Sequence, residues 1–415
     1  MRLRDSIKYW WSEPRSANNR DENRKVTYLE LFNDLVYSVF FARLTQSYVN
    51  NSSTYRFAFL AYLIKFVLSW LVWFNAASYY DLHGNDDIRG RLFTFFQMFL
   101  VASLALFGYN ALTKNYMGFG LSYAILMLFQ AFLWYRTGKV HDNHAKYSKP
   151  YSILMSFLAI FFLTSVIFGE ELRLIIWGIT CLGQVGVILY ISYKNWRLTG
   201  EGEMFLRITN SFQARVSRLV LIVLGQMVTQ IISGVYSDDQ VLYQNFRKAF
   251  VGMYLVLIIW WVYFDLVAVS VPKDNLLSVW IWSILHVPIA FSICLMASSI
   301  ISIMHLDNIS LSLAYITKDF MVPITVLYIC VFLISRTLEK TQYHFYARKR
   351  SRVSLFFSIG FLIILNFTQM SNNLKLILNL VVISFPVLTE IVSQVRFNEF
   401  KDKNEDKKTA DSSAV

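Results

Sequence analysis

Charge is scarce in this 415-residue chain: Asp, Glu, Lys and Arg together make up 16% of it, against 56% hydrophobic and 17% aromatic residues. A soluble chain of this size cannot hide so much apolar surface, so the composition excludes an ordinary water-soluble globule. Cysteine is scarcer still. Cys181, Cys294 and Cys330 show no disulfide, metal or redox spacing, and each falls in an apolar run as an ordinary buried residue. There is no HExxH, GxGxxG or P-loop and no Ser/His/Asp set in a recognisable setting, so the expectation is a protein that is not an enzyme, with no cofactor and no metal. His141 and His144 in HDNHAK are three apart, as metal ligands can be, but they are expected in a solvated loop. The first 25 residues are charged, lack an apolar core segment and are expected to carry no secretory signal.

Long apolar runs fill the remainder. Crossing the hydrocarbon layer takes roughly 20 mostly apolar residues, and twelve windows qualify: 26–49, 55–79, 91–112, 115–136, 150–169, 173–194, 212–235, 246–270, 276–304, 318–336, 353–370 and 373–395. Membrane-barrel strands would alternate over about ten residues, and these runs are longer and continuous. The fold class is therefore an all-α polytopic membrane protein. Most of the 39 Lys and Arg residues fall in the N-terminal segment, the even-numbered loops and the tail, which places both termini inside. The net charge of +12 then reflects topology and not nucleic-acid binding. Arg348, Lys349, Arg350 and Arg352 read as inner-face anchors on anionic lipid, with a specific lipid site as the alternative.

Residues 1–25 place Leu3, Ile7, Trp10 and Trp11 on one face, as a short helix lying on the inner surface would. The polar tail 397–415 is expected to be disordered. Between them the windows divide into six-helix halves, 26–200 and 201–396, around the linker near Asn195 to Arg207. WLVWFNAASYYD (Trp70 to Asp81) and IIWWVYFDLVAV (Ile258 to Val269) occupy equivalent helices, which hints at a duplication in parallel orientation. Chance likeness of aromatic-rich helices is the alternative.

Charges inside the membrane are costly and normally face a partner or water. In VTYLELFNDLV, Glu30 and Asp34 are four apart and share a face. Arg215 and Arg218 open the seventh window and suggest an interhelical ion pair, which either locks the two halves together or lines a path for an ion or proton, with a snorkelling arrangement at the lipid surface as the third reading. Arg43 lies about half a turn away from Asp34 around the first helix. Asn75, Asp81, Gln226, Gln230 and Asp265 are further polar groups in or beside apolar helices. His286, two residues before Pro288, is either a hydrogen-bonded structural group or a proton relay.

VTYLELFNDLVYSVFFARLTQ, WFNAASYYD followed by DDIRGRL, ARVSRLVLIVLGQMV, WWVYFD and LHVP together resemble the bacterial low temperature requirement A (LtrA) family. The resemblance implies a bacterial inner-membrane protein linked by name to growth in the cold, and carries no molecular activity with it. The family's seventh helix usually reads like ERHGLFxIIxLGES. Here Gln213 or Ala214 replaces the first acid, Val216 and Ser217 replace His-Gly, and Gln226 replaces the later acid. A fainter likeness, to a potassium channel family with an F-S-D string, rests on Phe32-Asn33-Asp34. The expectation is a transporter or channel for a small ion or solute, embedded in the bilayer and touching anionic lipid, with an oligomer left open. A lipid-handling protein and a structural or sensory protein are the alternatives.

Overall fold

The computed structural model describes residues 12–16, 24–51, 56–199, 208–237, 240–241, 243–304, 320–339 and 342–413. Among them are twelve α-helices: α1 (Tyr28–Asn51), α2 (Ala58–His83), α3 (Ile88–Gly108), α4 (Tyr116–Val140), α5 (Asp142–Thr164), α6 (Glu170–Thr199), α7 (Asn210–Ser233), α8 (Tyr243–Leu266), α9 (Leu276–Met304), α10 (Met321–Thr337), α11 (Gln342–Phe367) and α12 (Asn372–Ser413). A 3-10 turn at Ser165–Ile167 and a hairpin pairing Tyr236–Ser237 with Gln240–Val241 are the other elements.

Ten of these helices, α2 to α9 with α11 and α12, are long and apolar enough to cross a membrane. They turn large apolar side chains outward, among them Phe99, Leu106, Phe157, Leu182 and Phe361, a surface that lipid tolerates and water does not. The protein is a polytopic, all-helical membrane protein. Two of the twelve expected windows do not reach that standard. Helix α1 is long enough at 24 residues but carries Glu30, Asp34 and Arg43, and α10 has 17 residues, about 26 Å at roughly 1.5 Å each, short of a hydrocarbon layer of about 30 Å.

By packing, the chain forms two compact units, Met1–Gln226 with Asp274–Ser298, and Met227–Lys273 with Ser299–Val415. These units cut across the six-helix halves. In the first, α1 packs on α2 and α3, α4 on α3 and α5, and α2 on α6. In the second, α11 packs on α10 and α12, and α8 on both α10 and α12. Tyr328 donates to the Ile383 carbonyl at 2.5 Å, and Ser351 to the buried Glu390.

Two expectations change. The tail is not disordered as far as Ser413: it continues α12 as one helix. Glu399 and Lys403, like Lys401 and Glu405, stand four apart in the sequence, and such spacing supports a helix without any apolar face. His141 and His144 are not in a solvated loop, because α4 and α5 are separated by His141 alone. His144 is buried. His141 Nε2 meets the Pro14 carbonyl at 2.7 Å, His144 Nε2 meets Ser16 Oγ at 3.3 Å, and His83 Nδ1 meets the Arg15 carbonyl at 2.9 Å. The histidines thus fasten residues 12–16 to the helix ends. The surface helix expected over residues 1–25 falls largely outside the described residues.

Asp87 caps α3 by accepting the Gly90 N–H at 2.8 Å, and Ser12 adds its N–H and hydroxyl at 3.0 and 2.8 Å. Gly90 permits this approach, since a Cβ there would stand 2.3 Å from the Asn85 carbonyl oxygen. Partial burial opposes ionisation of Asp87, but the bonds from Gly90 and Ser12 outweigh it and hold the carboxyl below its ordinary range. Its contribution to stability is therefore full above about pH 4, the unfolded value, and fades as pH falls through the lowered folded one. Asp87→Ala is expected to cost about 0.5–2 kcal/mol in detergent melts at neutral pH, and Asp87→Asn less, because Asn still caps. Equal losses in the two variants would refute the cap.

Candidate functional site: one guanidinium shared by two carboxylates of the first helix

Thr27-Tyr28-Leu29-Glu30 opens α1 as a capping box. Thr27 Oγ1 accepts the Glu30 N–H at 3.3 Å, and the Glu30 carboxylate accepts the Thr27 hydroxyl at 3.0 Å and its N–H at 3.4 Å. The cap turns Glu30 inward and down the axis, and Asp34 follows one turn later on the same face. Arg215, near the start of α7, meets both. Its Nη2 donates to Asp34 Oδ1 at 2.8 Å and its Nε to Asp34 Oδ2 at 3.0 Å, a two-pronged contact, while Nη1 reaches Glu30 Oε2 at 3.4 Å. Trp73 Nε1 donates to Asp34 Oδ1 at 2.8 Å, and Arg24 pairs with Glu30 Oε1. Two arginines thus balance two carboxylates. Asp34 is 0% exposed, Arg215 2% and Glu30 5%, so none has bulk water as a substitute partner.

More polar atoms lie beside the cluster than it satisfies. Among the described residues, the Asn33 amide and the Tyr37 hydroxyl are buried without a hydrogen-bond partner, and Tyr37 lies in the electrostatic field of Arg215 and Asp34. Such groups mark room for water or a ligand. On its other side, Trp73 packs against Trp70 at 5.1 Å between ring centroids. Trp70 in turn walls a cavity of about 310 Å³, whose other aromatic walls are Phe74, Trp134, Tyr151 and Trp280.

The remaining candidates are dispersed. Arg218 is exposed and takes no part in the cluster. Arg43 is also exposed, bonded to Gln46 at 3.0 Å and set over the Tyr109 ring. Asn75 borders the cavity, donating to Gln130 Oε1 at 2.9 Å and accepting from Trp134 Nε1 at 2.7 Å. Asp81 accepts from Thr209 at 2.9 Å and Ser211 at 2.5 Å. Since Thr209 caps α7 through the Phe212 N–H, this carboxylate also meets a positive helix end. His286 turns Nδ1 to the Trp282 carbonyl of its own helix at 2.6 Å. Gln226 and Gln230 are half-buried on α7. In the second unit, Asp265 is half-buried and accepts from Gln394 Nε2 at 3.4 Å.

Three buried charges lie outside the set of candidates read from the sequence. Lys65 is buried on α2, donating to the Gly108 carbonyl at 3.3 Å. Arg173 on α6 spreads over the carbonyls of Ser165, Leu112 and Phe168. Glu390 is buried on α12. Each is a charge inside or at the edge of an apolar window, and that signal was available for all three. Among the described residues no group of three or more His, Cys, Asp or Glu could hold a metal ion.

A family model described as bacterial low temperature requirement A protein (LtrA) matches residues 25–387. No curated protein and no solved structure matches the chain.

Removing one partner of a buried pair strands the other, at a cost of about 3–5 kcal/mol. Arg215→Met and Asp34→Leu are each expected to lower stability on that scale in detergent unfolding. The double variant, with neither charge left, is expected to be better than the sum of the two. Additive losses would show that the two charges are not energetically coupled.

Proposed function

The chain belongs to the bacterial low temperature requirement A family, and from that premise we propose that it is not an enzyme but a carrier of a small ion or solute in the bacterial cytoplasmic membrane. The observation that carries the reading is the sharing of one buried guanidinium by two carboxylates of unequal tenure. Asp34 holds Arg215 by two prongs and is tied to Trp73, whereas Glu30 touches it by one long contact and divides its other oxygen between Arg24 and Thr27. Glu30 is therefore the exchangeable member. A proton or small cation arriving there would release Arg24, which is only half-buried, and loosen Arg215 while Asp34 keeps the Arg215 guanidinium neutralised. Both carboxylates are closed off from bulk water, which favours a carrier over an open channel. Arg24, at the end of the basic N-terminal segment, supports an inner-side position for the Glu30 end of α1, on the rule that basic residues collect on the cytoplasmic face.

The same fork of hydrogen bonds supports a second reading, an ion-pair lock that only holds α1 to α7. Flux separates the two. In liposomes under imposed proton, sodium or potassium gradients, Glu30→Gln is expected to lose at least tenfold in flux with its melting temperature within a few degrees of the parent, whereas Asp34→Asn loses both. Flux unchanged in a folded Glu30→Gln protein would rule out this coupling role. No flux from folded parent protein under any gradient would leave the lock.

A further inference from the structure

The cavity beside Trp70 has a chemistry that the ion cluster does not share. Its volume of about 310 Å³ is about twice that of the roughly 150 Å³ apolar cavity that takes a benzene ring. It is framed by residues of α2, α4, α5, α6 and α9, and every lining residue belongs to the first unit. No Asp, Glu, Lys, Arg or His lines it, so nothing there would hold a carboxylate, phosphate or ammonium. The lining is aromatic and aliphatic, with four small or amide polar groups, Asn75, Ser78, Ser192 and Ser283. Asn75 already has its partners in Gln130 and Trp134. The indole N–H of Trp280, a lining residue, is buried with no hydrogen-bond partner. Three serine hydroxyls and an unpartnered indole N–H on the wall of an otherwise apolar chamber suit a molecule with a long hydrocarbon body and few, uncharged oxygens.

We propose that this cavity binds a single hydrocarbon chain, with any charged headgroup left outside and any hydroxyl or ester oxygen facing Trp280. In a membrane protein two sources offer that chemistry, the tail of a bilayer phospholipid and a free uncharged amphiphile. The site goes beyond the carrier reading and does not depend on it, since occupancy is measured without flux. It also touches the cluster: the chain would press on Trp70, which packs on Trp73, which donates to Asp34.

Two probes test it on the full-length protein in lipid nanodiscs, a dodecanol and a phosphatidylcholine each carrying a mid-chain diazirine, with labelled peptides mapped by mass spectrometry. The expected result is labelling of the 70–78 and 280–288 peptides by at least one probe, reduced fivefold or more by Ser283→Trp, which fills the chamber. Labelling by the phospholipid identifies a bilayer tail, labelling by dodecanol alone a free amphiphile, and either supports the site. Labelling confined to outward-facing peptides, such as those bearing Leu182 or Phe361, overturns it. So does labelling of the cavity peptides that Ser283→Trp leaves unchanged. Should Ser283→Trp fail to fold, Ser78→Leu serves in its place. A separate melt guards against surface labelling: dodecanol should raise the melting temperature of the parent and leave the filled variant unmoved, and equal rises would overturn the proposal.

Discussion

Much of the first unit is arranged around one guanidinium. Arg215 comes from a helix that begins more than 180 residues after the start of α1, and its side chain is buried against two carboxylates that cannot turn to water. Desolvating three charges is expensive, and only close geometry with complete hydrogen bonding repays it. The surrounding features follow from that demand. The capping box aims Glu30, Trp73 supplies a further donor to Asp34, and Arg24 makes the charge count even. The same demand explains why Asp81 lies where it does, because its bonds to Thr209 and Ser211 hold the start of α7 and so set the height at which Arg215 enters.

Much of the fold was legible because the bilayer imposes a simple rule on sequence: each crossing needs a long run that is mostly apolar and carries few charges. Ten helices obey it. The rule is blind to what is exceptional. Helix α1 carries two acids because its inward face binds an arginine and not lipid, and an exposed Arg43 besides, while α10 is simply short. The α12 extension was misread for the opposite reason: local charge spacing can sustain a helix that has no apolar stripe.

The site was legible only in part. Two acids four apart and a basic residue at the start of α7 are visible in one dimension, since spacing fixes which face of a helix a residue occupies. Which of Arg215 and Arg218 turns inward is not, because the rotation of α7 is settled by its packing, and packing buries Phe212, Val216 and Leu219 alongside Arg215. His286 and Asn75 illustrate the same limit. Their partners, the Trp282 carbonyl on one side and Gln130 with Trp134 on the other, depend on side-chain reach. The pair of indoles joining Asp34 to the cavity could be read as aromatic richness in WLVWFNAASYYD, but not as a contact.

That pair ties the two halves of the functional argument together. Trp73 has one indole N–H, and it is spent on Asp34. A displacement of Trp70 that carries Trp73 away from Asp34 lengthens that bond, and Asp34 would then lean more heavily on Arg215. A tighter Asp34–Arg215 contact draws the guanidinium away from Glu30, whose single contact is already the longer one at 3.4 Å. Filling the cavity and neutralising Glu30 therefore push the cluster the same way, toward an Arg215 held by Asp34 alone. Two perturbations that favour one state must favour each other, by the reciprocity of linked equilibria. On the two proposals above, an apolar occupant and an ion arriving at Glu30 would be coupled through four side chains, without either touching the other.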